Sequence, residues 1–191
     1  MSIESPNIIK TPELIDQQNH EKIKTIESLR TGYLQKADVV LVLLGQKPAT
    51  DLSVFVDAEE LLADEDEKIK SIGLLYKKIN QGKVSDRYCN DYLLAKDEAT
   101  LNELMKYRAD KDHEQFGRLM GFPESAVKAY TNKTLLDNNQ EQQIYEMHPD
   151  IVFNNMRLSK DSYESELEVL RNWSESLKNS APEIYKQFLE Q

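Results

Sequence analysis

The longest strongly apolar run in the chain covers residues 39–44, and any fold of the chain has to bury it. The run is far too short to cross a bilayer as a helix. Its valines and leucines follow one another without polar interruption, a pattern typical of a strand that is covered on both faces. The run therefore predicts the central strand of a sheet.

Three other segments predict the remaining strands. Residues 52–56 follow the apolar run after a short connection, and they indicate a second strand that pairs with the first as a hairpin. Residues 92–95 indicate a third strand, and residues 151–158 a fourth, although Asn154 and Asn155 are unfavourable there. We expect a small, mostly antiparallel or mixed sheet of three to four strands.

Helices are expected to cover most of the rest, because the chain has only 6 Gly and 6 Pro. Their starts are indicated by capping residues or prolines at Pro12, Asp57, Asp97, Asp112, Pro123, Ser159 or Ser162, and Pro182. The first helix is expected to run to about Arg30, and the second to near Gly82, with Lys77 and Lys78 close to its end. A helical stripe is formed by Tyr163, Leu167, Leu170, Trp173 and Leu177.

The predicted fold class is α+β and helix-rich, with the sheet covered by about six helices. We see no repeat and no linker that would divide the chain. We therefore expect one globular domain over residues 1–191, with residues 1–10 as a flexible N-terminal extension.

The formal net charge of −10 disfavours nucleic acid as a partner, because binding to the phosphate backbone depends on clustered Lys and Arg residues. The N-terminal residues show no basic segment followed by an apolar stretch, so we expect no membrane association and a cytoplasmic location. The single cysteine, Cys89, excludes an intramolecular disulfide framework and a cysteine-based zinc cluster. No cofactor is expected, since no complete metal- or nucleotide-binding motif occurs.

The most informative stretch for function is residues 107–123. If its second part is helical, His113 and Gly117 share one side, and Gly117 lets a backbone or a ligand approach the imidazole closely. Arg108 and Arg118 flank the same region and can attract an anionic group. Asp110 is a carboxylate candidate for orienting the histidine as a general base.

The same residues also have a structural interpretation. His113 can cap a helix or complete a polar contact, and Gly117 can permit close helix packing. Gly121 and Pro123 can simply turn the chain between two helices. Both interpretations stay open at the level of sequence.

Cys89 is a second candidate for chemistry. It can act as a nucleophile if His113 reaches it in space, with Asp86 or Asp91 orienting the base. The alternative is that this cysteine, which precedes an apolar strand, is a buried small hydrophobic residue.

One segment resembles a group of poorly characterised prokaryotic proteins. It comprises His113, Gly117, Leu119, Gly121, Phe122 and Pro123, and it is followed by Leu158, Ser159 and a helix with Trp173. Some members of that group carry cysteines just after the Gly-aromatic-Pro turn, where this chain has Glu124, Ser125 and Ala126. The resemblance implies no particular activity, and a thiol or metal role at that turn does not carry over.

These observations leave two hypotheses of function. The leading one is a cytosolic binding or protein-interaction domain without its own catalysis, since ample core-forming segments occur beside no complete catalytic motif. The alternative is a small enzyme or a binder of a small anionic ligand, with a pocket around His113, Arg108 and Arg118.

Overall fold

A computed structural model describes residues 12–152 and 156–190, so the expected extension at residues 1–10 lies outside the described residues. Within that part the chain forms nine helices and a three-stranded antiparallel sheet. The prediction of a helix-rich α+β fold is confirmed. In chain order the elements are α1 (Pro12–Glu27), α2 (Tyr33–Leu44), β1 (Ala49–Val56), α3 (Leu61–Ile72), β2 (Leu75–Val84), β3 (Arg87–Ala95), α4 (Glu98–Asp110), α5 (His113–Leu119), α6 (Glu124–Asn132), α7 (Asn138–Met147), α8 (Tyr163–Ser180) and α9 (Pro182–Leu189).

The run at residues 39–44 is part of helix α2, so the prediction of a central strand, and of a hairpin with β1, was wrong. Val39, Val40, Leu41 and Val42 are all fully buried. They are buried because α2 contacts α1, β1, α8 and α9, and a helix surrounded in this way is apolar on every side. Gly45 ends the helix in the left-handed region at a φ of +81°. No helix in the described residues has the length and apolar character needed to cross a membrane.

Strand β3 lies at the centre of the sheet and pairs antiparallel with β1 on one side and β2 on the other. The helix expected to reach Gly82 ends at Ile72 instead, because Gly73 adopts a left-handed φ of +77°. Lys77 and Lys78 therefore belong to β2, an edge strand whose side chains are mostly exposed. The lysines were expected at a helix end because cations there complement the helix dipole, but charged side chains are equally common on an exposed edge strand.

The fourth strand predicted at residues 151–158 is not present in the described residues 151–152 and 156–158. Two of the described backbone amides of this segment donate to side chains instead of to a neighbouring strand. The Val152 amide donates to the Ser174 hydroxyl at 2.7 Å, and the Leu158 amide donates to the Glu141 carboxylate at 2.8 Å. Residues 153–155 lie outside the described residues.

The helix starts and the helical stripe that were predicted from neighbouring residues agree better with the structure than the predicted strands do. The side chain of Asp97 accepts the Thr100 amide at the start of α4, and Asp112 accepts the Gln115 amide at the start of α5. Helix α9 begins with Pro182, as expected. The predicted stripe on α8 faces the core, with Leu167, Leu170, Trp173 and Leu177 buried.

A fully buried lysine joins three parts of the fold. Lys47 follows α2, and its ammonium donates to the buried Asp38 carboxylate of that helix. It also lies 4.9 Å from the ring centroid of Phe122 and 5.0 Å from that of Trp173. Cation–π contacts of this kind are strongest when the cation is shielded from water. The lysine therefore connects α2 to the turn before α6 and to α8.

We expect the Lys47→Met variant to be destabilised by about 3–5 kcal/mol, because it leaves the buried Asp38 carboxylate against an apolar side chain. Urea denaturation followed by circular dichroism measures the change. Adding Asp38→Leu removes the carboxylate that has lost its lysine partner and should recover much of the loss.

The matched control is Lys186→Met. Lys186 pairs with Glu190 at 3.6 Å, but both side chains are more than half exposed. Its loss should change the stability by less than about 0.5 kcal/mol. A Lys47→Met protein as stable as the Lys186→Met protein would contradict the role given to Lys47.

Candidate functional site

The stretch singled out from the sequence forms a compact helical hairpin, α5–turn–α6. Gly121 adopts a left-handed φ of +80°, and a Cβ there would lie 3.0 Å from Pro48 Cδ and 3.4 Å from Lys47 Cα. A larger residue is therefore disfavoured in the turn both by conformation and by space. Pro123 then precedes the first turn of α6.

Gly117 brings the two helices of the hairpin together. It is buried in α5, and a Cβ on it would lie 3.2 Å from a methyl group of Val127 on α6. The close approach is thus to another helix, as in the structural interpretation of this glycine. The same glycine lines the pocket described next.

A pocket of about 220 Å³ lies beside this hairpin. Its described lining combines both helices, the intervening turn and the segment that leads to α8. The lining residues are His113, Phe116, Gly117, Phe122, Ala126, Val127, Tyr130, Met156 and Arg157. Most of this surface is apolar, and the polar groups are confined to His113, Tyr130 and Arg157.

The aromatic side of the rim is formed by two exposed residues. The His113 imidazole and the Tyr130 ring lie 6.5 Å apart between centroids in an edge-to-face arrangement. Tyr130 is 57% exposed, which makes it one of the exposed large hydrophobic residues of the described structure. Exposed tyrosines of this kind are common where a protein binds a ligand or a partner.

The arginine of the lining is held by a buried carboxylate. Arg157 Nε donates to Glu141 at 2.6 Å, and its Nη2 donates to the Leu136 carbonyl oxygen at 3.0 Å. Glu141 is itself 5% exposed, and its other oxygen accepts the Leu158 amide. The guanidinium is therefore fixed in position before any ligand arrives.

The two arginines expected to bind an anion are engaged elsewhere, and neither lines the pocket. Arg118 donates to Glu124 through Nε and Nη2, both at 2.7 Å, and also to Glu114. Arg108 lies in the last turn of α4, where it is 3.9 Å from Asp51 of β1. The structure thus brings His113 and Gly117 to the pocket and places Arg108 and Arg118 outside its described lining.

The other two candidates also lie away from this lining. Asp110 is an exposed residue at the end of α4. Cys89 is buried in β3, opposite Phe55 of β1 and Gly82 of β2. Burial, together with the charge of Asp91, raises the pKa of the Cys89 thiol. A raised pKa suppresses the thiolate that a nucleophilic cysteine requires, so the buried-hydrophobe interpretation fits this site better.

Sequence reasoning identified only His113 and Gly117 among the nine described lining residues and missed the other seven as site residues. Phe122 had a signal, since it is the aromatic residue of the Gly-aromatic-Pro turn. Tyr130 lies on α6, and its place at the pocket depends on how α6 packs against α5. Met156 and Arg157 had no local signal, because their place at the pocket depends on contacts between segments distant in the chain.

The contacts of Arg118 generate a direct prediction. Hydrogen bonds from Arg118, followed by those from Lys128, lower the pKa of Glu124 to about 2. We expect Arg118→Gln to return this pKa towards the ordinary value of 4.5, because the strongest donor is removed. Carbon-detected NMR titration of the glutamate carboxyl groups measures it.

Lys128→Gln is the comparison variant, and it should raise the Glu124 pKa by less. If Arg118→Gln left the pKa of Glu124 unchanged, the guanidinium would be available for a ligand, contrary to the geometry described here.

No family model, curated protein or solved structure matches the chain. The resemblance of the segment between His113 and Pro123 to a prokaryotic protein group therefore stays a prediction. What the site does has to be argued from its geometry.

Proposed function

We propose that this protein is a non-catalytic binding protein that takes one ring-sized apolar group of its ligand into the α5–α6 pocket. The observation that carries the proposal is the apolar lining formed by Phe116, Phe122, Ala126, Val127 and Met156. A concave, mostly apolar lining with a few polar groups is the general pattern of small-ligand sites.

The volume of the pocket fits a ligand group of about one ring. Pockets for drug-sized ligands have volumes of about 300–1,000 Å³, whereas an apolar cavity of about 150 Å³ is enough to hold benzene. The volume of about 220 Å³ lies between these values. The pocket therefore suits a phenyl ring or a branched alkyl group and is too small for a large metabolite.

The rival proposal, a small enzyme with His113 as a general base, has less support. A histidine base is normally oriented by a carboxylate or carbonyl on its second nitrogen. Among the described residues no carboxylate is hydrogen-bonded to the His113 imidazole. The carboxylates next to His113 in the sequence already have other partners, since Asp112 caps α5 and Glu114 binds Arg118.

A pocket-filling variant tests the proposal. Ala126 is 4% exposed and lines the pocket, so Ala126→Leu adds three carbon atoms to the space that the ligand needs. With a neutral probe such as benzyl alcohol at about ten times its dissociation constant, the wild type should gain about 1.4 kcal/mol. That gain raises the melting temperature by about 4 °C for a chain of this size. Ala126→Leu should abolish the shift.

Ser125→Leu is the matched control, because Ser125 is the preceding residue of α6 and does not line the pocket. It should retain the shift. Probe binding that survives in Ala126→Leu, or a wild type that responds to no ring-sized probe, would overturn the proposal.

A further inference from the structure

The charges around the pocket point to the chemical class of its ligand. The polar groups of the described lining are an imidazole, a phenol and a guanidinium, and none is a carboxylate. The absence of carboxylates from this lining contrasts with the composition of the whole chain, in which 34 Asp and Glu residues outnumber 24 Lys and Arg residues. The mouth of the pocket therefore offers hydrogen-bond donors in a protein that is otherwise acidic.

Arg157 is the donor best prepared for an anion. Its Nε and Nη2 are bound to Glu141, Leu136 and Asn138, and among the described residues Nη1 has no hydrogen-bond partner. The side chain is still 41% exposed although it is held on one edge. A ligand that binds Nη1 therefore does not have to immobilise a flexible side chain, which is a main cost of binding to a surface arginine.

His113 supplies a second polar group of the pocket that can donate a hydrogen bond. It is exposed at the first position of α5 and belongs to the same pocket lining as Arg157. Most of the other lining side chains are apolar, so a ligand that fits has its apolar group against them and its polar group at Arg157 and His113. An amine at that position would meet a guanidinium, which disfavours it.

We infer that the ligand is a small aryl or branched-alkyl carboxylic acid, with its ring or alkyl group in the pocket and its carboxylate on Arg157 and His113. The inference rests on the proposed function, because it names the ligand class of the same pocket. A carboxylate on a fixed guanidinium forms a charge-assisted hydrogen bond, the strongest kind available at this mouth. The protein thus selects its ligand by charge at the rim and by size inside.

The test compares three probes of one shape on the full chain: 3-phenylpropionate, 3-phenylpropan-1-ol and 3-phenylpropylamine. Isothermal titration calorimetry or NMR titration gives the three dissociation constants. We expect the acid to bind about tenfold to a hundredfold more tightly than the alcohol, as for one hydrogen bond to a charged group. The amine should bind more weakly than the alcohol.

Variants then identify the group responsible. Arg157→Gln should reduce the preference for the acid over the alcohol to about twofold or less, since the charge is lost. Arg118→Gln is the matched control, because Arg118 lies on α5 outside the pocket lining, and it should keep the preference. If Arg157→Gln does not fold, His113→Gln and the salt dependence of acid binding by the wild type provide the same information.

The outcomes separate the two proposals. Equal binding of acid and alcohol overturns the carboxylate inference and leaves the pocket as a binding site for a neutral group. A full preference retained in Arg157→Gln, or acid binding insensitive to salt, also overturns the inference. If none of the three probes binds, the proposed function fails with it.

Discussion

The buried ammonium of Lys47 is the interaction on which the rest of the structure depends. A lysine with no exposed side-chain surface loses its hydration, and the loss must be offset by close partners. Asp38 supplies the counter-charge, and the rings of Phe122 and Trp173 supply two aromatic faces. Because these partners come from α2, the α5–α6 turn and α8, one side chain helps to fix the relative positions of three elements.

The same arrangement explains why a pocket forms beside α5 and α6. Phe122 packs against both hydrophobic clusters of the protein and also lines the pocket. Its position is set on one side by Lys47 and on the other by Gly121, whose backbone conformation is left-handed. Arg157, another lining residue, is fixed in a comparable way, because the buried Glu141 holds it. Buried charges with close partners thus position the lining of an apolar pocket, and such rigid support is what a binding site requires.

The sequence predicted the elements whose signals are local. Capping by Asp97 and Asp112 and the stripe on α8 depend on residues within one or two turns. The run at residues 39–44 could not be assigned correctly, because a short apolar run is compatible with a strand or with a helix buried on all sides. At the site, His113 and Gly117 lie on one helix and so could be placed together. Arg157 belongs there only because of tertiary contacts, and the second partner of Arg118, Glu124, lies across a turn that sequence spacing does not resolve.

The central claim is that the Lys47 ammonium lies between two aromatic rings, and NMR of the lysine side chains tests it most directly. Protons above a ring face resonate upfield, so we expect the ε-methylene signals of Lys47 to be shifted upfield from those of the other lysines. Nuclear Overhauser effects should connect these protons to the rings of both Phe122 and Trp173, the only tryptophan in the chain. A Lys47 signal at the usual position of surface lysines, without contacts to either ring, would contradict the account.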